Sequence, residues 1–395
     1  MNRRVFLSLP TALALRASTP EYEKPLFNLR AVSSTPVKIK SIEVLQNGNN
    51  YFVRSTSDEG TVGIVLAKDP IQDFLPILTR RVIPFFVGKD ARDLESLIDG
   101  VYIQNYKLAG QAFWLPVGAV EQSLFDLLGR VAKKPVAELL GGMKKKEVAV
   151  YLSGSARELK AEDEVDIYVR GVEMTGAKAV KFKIGGRMSR NADAYPGRTE
   201  TMMKLARKRL GDNMIIYTDA NGSYDAQKAI DVGRMLQDLN CAFFEEPCPW
   251  EEISETKKVA DTLDIKIAVG EQDASLWRFQ WMLETGVMQI VQPDLNYNGG
   301  FIRAARVARI ARKHGIPIVP HNTQTGASGT KILHFASAIP NAGDYMEYPW
   351  RKPSKPESWY SPNLEIRNGK IAVPTGPGLG IEFDPGYLGA AKKIG

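Results

Sequence analysis

The stretch "MIIYTDANGSYDAQKAIDVGRMLQDLNCAFFEEP", residues 214–247, decides the fold. It opens on an apolar run, MIIYTDAN (214–221), crosses a segment with helical periodicity, and returns to a second apolar run, CAFFEEP (241–247). Strand, helix and strand within about thirty residues form the unit of a parallel sheet. Each run carries an acid near its end, Asp219 and Glu245, where a closed parallel sheet collects its functional groups.

The unit repeats in both directions. Further strands are expected at VAVYLSG (148–154), AVKFKIG (179–185), IKIAVGE (265–271), MQIVQPD (288–294), IPIVPHN (316–322) and DYMEY (344–348), with amphipathic helices between them. Eight strands alternating with helices read as an α/β parallel barrel. A doubly wound open sheet would carry a Gly-rich phosphate turn after its first strand, and YLSGSARE is not one.

Ahead of the barrel, VKIKSIEVLQNG and NYFVRSTSDEGTVGIVLA read as strands, followed by helices in ARDLESLIDGVYIQ and AVEQSLFDLLGRVAKKPVAELLGG. The expected domains are an α+β module at 36–146, the barrel at 147–349, and a Pro-rich C-terminal segment at 350–395. Residues 1–35 read as a signal and linker: Arg3 and Arg4 precede a short apolar run, Phe6 to Leu15, in the pattern of a twin-arginine export signal. That run is too short to span a bilayer, so a membrane anchor is not expected, and an exported, periplasmic protein is, with a cytoplasmic one as the alternative.

Composition narrows the function. A content of 44% hydrophobic and 25% charged residues suits a soluble globular enzyme, and the net charge of +7 is spread along the chain rather than clustered with aromatics, so a nucleic-acid partner is not expected. Cys241 and Cys248 stand about 23 Å apart if CAFFEEPC is one strand, too far to pair.

The strand ends carry the chemistry. Asp219, Glu245, Glu271, Asp294, His321 and Glu347 close successive strands and converge on one mouth of the barrel. Asp219, Glu245 and Glu271 are spaced 26 residues apart, one strand-helix unit each time, which sets three carboxylates at one height. Single acids at such places often cap the next helix, but three in register repel unless a cation holds them, and hard oxygen ligands suit Mg²⁺. Lys181 and Lys183, two apart in AVKFKIG, face the same mouth, and with Mg²⁺ they outweigh the three carboxylates by one positive charge. The pocket is thus built for a small anion. Asp294 and His321 end adjacent strands, so the carboxylate can orient the imidazole for general acid/base work. His314, at a helix end before Gly315, and His334, inside KILHFASA, read as structural.

These motifs, KFK, TDAN, EEP, GE, QPD, PHN and YME, together with GPGLGIE in the tail, resemble the enolase superfamily and, within it, the mandelate racemase subgroup, from about Ile42 onward. The resemblance implies a (β/α)7β barrel capped by the N-terminal module and the C-terminal segment. It implies Mg²⁺ on Asp219, Glu245 and Glu271, with Lys183 and His321 flanking the substrate α-carbon. Lys181 would lower the basicity of Lys183 and contact the substrate carboxylate, Glu347 would hydrogen-bond a carboxylate oxygen, and Asn221 would touch the metal or substrate. VQPDLNYNGG lacks the sixth-strand lysine of the dipeptide-epimerase and muconate-cycloisomerase branches. The implied reaction is abstraction of a proton α to a carboxylate through an enediolate, with dehydration of an acid sugar, an aldonate or aldarate, to a 2-keto-3-deoxy acid as the first expectation. A racemase, epimerase or cycloisomerase is the runner-up, and a non-catalytic binding protein on the same barrel the second alternative. A homo-oligomer is expected. Specificity is expected from LQNGNNY (45–51) and YPWRKPS (348–354), where Arg351 meets either a second carboxylate or solvent.

Overall fold

The computed structural model describes residues 20–154, 156–352 and 356–394. The paired arginines and the apolar run of the expected export signal lie outside them. No helix among the described residues is long and apolar enough to cross a membrane. Residues 20–35, read as linker, lie against the barrel: Arg309 donates to the carbonyls of Glu21, Lys24 and Pro25, and Tyr22 and Leu29 are buried.

The N-terminal module is an antiparallel sheet of β1 (Ile39–Asn47), β2 (Asn50–Ser57) and β3 (Val62–Leu66), joined by the C-terminal strand Lys392–Ile394 on the free edge of β1. Both chain ends therefore build the cap. Behind the sheet runs the helix Gln111–Ala132, which starts eight residues before the AVEQ stretch that announced it. It contains Pro116 in its second turn, where the ring removes one intrahelical hydrogen bond. Gly63 permits the sheet to approach: a Cβ there would lie 2.3 Å from Leu127 N and from Ser123 O, inside helix backbone.

The barrel follows as β4 (Glu147–Ser153), β5 (Ala179–Lys183), β6 (Ile215–Asp219), β7 (Phe243–Glu245), β8 (Lys266–Val269), β9 (Ile290–Val291) and β10 (Met346–Pro349). Neighbours pair in parallel, and β10 returns to β4 with Met346 opposite Val150. The expected seventh strand is reduced to Ile318, which bridges to Val291 and to Ala342 and so completes the ring. The sixth and seventh strands are shorter than their apolar runs because Pro293, Pro317 and Pro320 remove ladder donors. Seven helices, from Ala161–Thr175 to Gly326–Ala338, alternate with the strands. The whole is the expected (β/α)7β barrel with an α+β cap.

Inward-facing residues form layers. Lys181, Tyr217 and Phe243 are register partners, as are Lys183, Asp219 and Glu245 one step toward the C-terminal mouth. The lower layer is aromatic, with Tyr217 stacked on Phe243 at 4.0 Å and Tyr151 edge-on to Tyr217 at 5.0 Å. The upper layer is ionic. Two residues along the same inward faces thus separate a packed floor from a charged mouth.

Candidate active site

Asp219, Glu245 and Glu271 each offer one carboxylate oxygen to a cluster whose members lie within 4.8 Å of one another, all buried. The equal-height reading needs a correction. Asp219 is paired with Glu245, but Glu245 is opposite Ala268, so Glu271 stands three residues beyond its register position. It returns to the cluster through a turn at Gly270, whose φ of +126° a side chain would resist.

The oxygens of the cluster are unevenly used. Glu245 Oε2 accepts from Lys181 Nζ at 2.7 Å and Gln292 Nε2 at 3.0 Å, while its Oε1 is buried without a hydrogen-bond partner. Glu271 Oε2 is likewise without one, 3.3 Å from His321 Nε2. Burial and the neighbouring Asp219 push Glu245 up to about 8. Burial works against ionised Asp219 too, but Lys183, Lys181 and Arg157 outweigh it and hold that acid well below the usual range. Buried, converging carboxylate oxygens without hydrogen-bond partners are what a hard divalent cation completes, so the donor set fits Mg²⁺.

The two lysines differ. Lys181 is fully buried and bridges Glu245 and Glu347 Oε1, the latter at 2.8 Å. Burial opposes its charge, yet these two carboxylates hold its ammonium well above the ordinary value. Lys183 contacts Asp219 and reaches a cavity of about 740 Å³, which it lines with Asn221, Glu271, His321 and Glu347. Lys181 is not among the residues lining that cavity and sits against Glu245 and Glu347.

Asp294 and His321 meet as expected, Nδ1 to Oδ2 at 2.8 Å. Burial disfavours the imidazolium, but Glu271 and Asp294 raise its pKa above the ordinary value. Glu347 Oε2 accepts from Asn322 N at 3.0 Å. Burial opposes its charge, and Lys181 and His321 hold it at about 2. Asn221 places Nδ2 3.4 Å from Glu246 and 3.5 Å from Glu271 while Arg157 donates to its Oδ1, so it braces the acid cluster as well as lining the cavity.

His314 and His334 stay out of the site. His314 ends the helix Phe301–Lys313, and His334 accepts from Ala137 N and pairs with Leu379 O. The cavity extends along Tyr348, Trp350, Arg351 and Lys352, within the YPWRKPS segment. The LQNGNNY turn instead lines a smaller cavity of about 220 Å³ with Gln324 and Thr325, the latter shared by both. Cys241 and Cys248 are free and buried.

Sequence reading missed three polar groups here. Glu246 should point away from Glu245 by strand alternation, but its left-handed backbone, φ +40°, returns it to the cluster, where it is buried. Gln292, just past β9, supports Glu245. Lys68, from the cap, reaches Asp294 Oδ2 at 2.7 Å. Only the adjacent glutamates of EEP held a readable signal.

Residues 164–387 match the family described as "Enolase C-terminal domain-like", and residues 27–141 match the "Mandelate racemase / muconate lactonizing enzyme, N-terminal domain". The chain is 30% identical over 310 residues to the arabinonate dehydratase of Saccharolobus solfataricus, covering 77% of this chain and 80% of that one. It is 27% identical to the D-galactarolactone cycloisomerase of Agrobacterium fabrum, over 85% of this chain and 89% of that protein. A crystal structure of a mandelate racemase/muconate lactonizing protein from Paracoccus denitrificans PD1222, complexed with magnesium, superimposes with a TM-score of 0.82 at 30% identity, over 91% of this chain and 99% of that one.

Proposed function

The chain belongs to the mandelate racemase/muconate lactonizing enzyme family of the enolase superfamily, and we propose that it is a Mg²⁺-dependent acid-sugar dehydratase, acting on a small anionic aldonate or aldarate. The observation that carries this is the joint exposure of Lys183, Glu271, His321 and Glu347 to one cavity, next to the acid triad.

Asp219, Glu245 and Glu271 would hold the cation, which when bound supplies positive charge to the substrate carboxylate as negative charge builds there. Lys183 takes the α-proton from one face. Lys181, kept charged by Glu245 and Glu347, raises the local positive potential and keeps the base lysine poised to lose its own proton. Glu347 lines the cavity as a carboxylate and can donate to the enediolate only after taking up a proton, and His321, oriented by Asp294, delivers a proton to the departing β-hydroxyl. The product is a 2-keto-3-deoxy acid.

Likeness to the arabinonate dehydratase supports dehydration, and likeness to the galactarolactone cycloisomerase supports an isomerase as the second reading, since the same two bases serve both. Incubation with a panel of pentonates, hexonates and aldarates under Mg²⁺ separates them. Keto-acid formation from one member establishes the dehydratase; α-proton exchange with epimer or ring-opened product, and no keto acid, replaces it with the isomerase.

A further inference from the structure

Asp294 has more than one charged partner. Its Oδ2 accepts from His321 Nδ1 at 2.8 Å and, on the same atom, from Lys68 Nζ at 2.7 Å. Oδ1 is engaged separately by Asn296 N at 2.7 Å, Asn296 Nδ2 at 3.2 Å and Tyr297 N at 3.1 Å. Lys68 is 4% exposed, with its ammonium 4.2 Å above the Tyr297 ring. It follows β3 and so belongs to the cap, whereas Asp294 and His321 belong to the barrel.

We propose that Lys68 is a positioning residue of the acid–base pair, supplied by the cap: it shares Asp294 Oδ2 with His321 and holds the carboxylate, and through it the imidazole, in one geometry. The proposal deepens the function above and rests on His321 acting there as acid or base. Two features separate this role from simple docking. The cap segment has its own latch, because Leu66 O accepts from Ser328 Oγ at 3.1 Å and Lys331 Nζ at 3.3 Å, both from the barrel helix Gly326–Ala338. Moreover, a buried ammonium on an oxygen that already accepts an imidazole N–H withdraws electron density from that bond. Lys68 thereby limits how strongly Asp294 holds His321, and it makes the dyad's geometry depend on the seated cap.

The test uses the full chain and three variants. In water, the Nδ1–H proton of His321 is assigned by its loss in His321→Asn. In Lys68→Met the shared oxygen has one strong donor fewer, so this resonance moves downfield; in Lys68→Arg it stays near its wild-type position. An unmoved resonance in folded Lys68→Met overturns the proposal, and Lys68→Gln replaces the Met variant if that one fails to fold. On an acid sugar whose α-proton exchanges with solvent deuterium, Lys68→Met should slow the His321 face by about tenfold, the usual scale for an outer-sphere partner, and leave the Lys183 face within twofold. Equal loss on both faces also overturns it. If no acid sugar exchanges with wild-type enzyme, the proposed function falls, and the resonance still decides the role of Lys68.

Discussion

Lys181 Nζ lies 2.7 Å from Glu245 Oε2, and neither side chain is exposed. The same ammonium holds Glu347 at 2.8 Å and lies 3.7 Å from Asp219, so three carboxylates share one cation. Removing one partner of a buried pair strands the other charge at a cost of about 3–5 kcal/mol. Lys181→Met should therefore lower stability by about that amount in urea unfolding, besides reducing turnover. An unchanged unfolding midpoint would show that the carboxylates find other partners.

The acid triad predicts a metal requirement. Exhaustive chelation should abolish activity, Mg²⁺ should restore it, and Mg²⁺ should raise the melting temperature of the wild-type protein but not of Glu245→Gln. The second readout needs no substrate. Full activity after chelation, or equal metal stabilisation of Glu245→Gln, rejects the assignment of Asp219, Glu245 and Glu271 as ligands.

The two-base reading predicts a division of labour between Lys183 and His321. His321→Asn and Lys183→Ala should each lower turnover by at least about a hundredfold, the low end of what a positioned acid or base contributes. His321→Asn should keep deuterium exchange of the α-proton that faces Lys183 while forming no product. Asp294→Asn should resemble a weakened His321→Asn, since the imidazole loses its orienting carboxylate. Retention of near-wild-type turnover by both base variants would falsify the mechanism.

His334 predicts a pH dependence of stability. It accepts from Ala137 N at Nδ1 and offers Nε2–H to Leu379 O, so a second ring proton would point at an N–H donor. Burial, only partly offset by the Leu379 bond, brings its pKa down to about 4 from 6.5. As pH falls below 6.5 the unfolded chain binds a proton that the folded chain refuses. Stability from neutral His334 is thus complete above 6.5 and lost toward 4, by up to about 1.4 kcal/mol per pH unit. Melting curves at pH 7 and 5 should show a smaller acid loss in His334→Gln than in wild type. Equal losses in both proteins would assign the acid sensitivity elsewhere.

Much of the site was legible because it is written in local periodicity. Lys183, Asp219 and Glu245 end strands, Asp294 and His321 follow just past theirs and Glu347 lies within β10, and a strand-helix repeat projects such positions onto one mouth whatever fills the loops. Alternation likewise told the inward lysines from their neighbours, since Lys181 meets Glu245 and Glu347 and Lys183 meets Asp219 inside the barrel. Where the backbone leaves that periodicity, the reading failed. Pro293, Pro317 and Pro320 cut the sixth and seventh strands short, Gly270 returned Glu271 from beyond its register, and a left-handed turn brought in Glu246.

By itself, then, the sequence determined the barrel, the acid triad and the Asp294–His321 dyad, because each depends on spacing over one strand-helix unit; that the α+β module caps the barrel was implied only by the family resemblance. Only the tertiary structure decided which lysine meets the cavity and which stays beneath it, and that Asp294 is shared with a lysine of the cap. Lys68 and Asp294 are 226 residues apart, and no periodicity links a loop of one domain to a strand end of another. Their contact exists because the cap closes over the mouth and buries both charges together, where each needs the other in place of water.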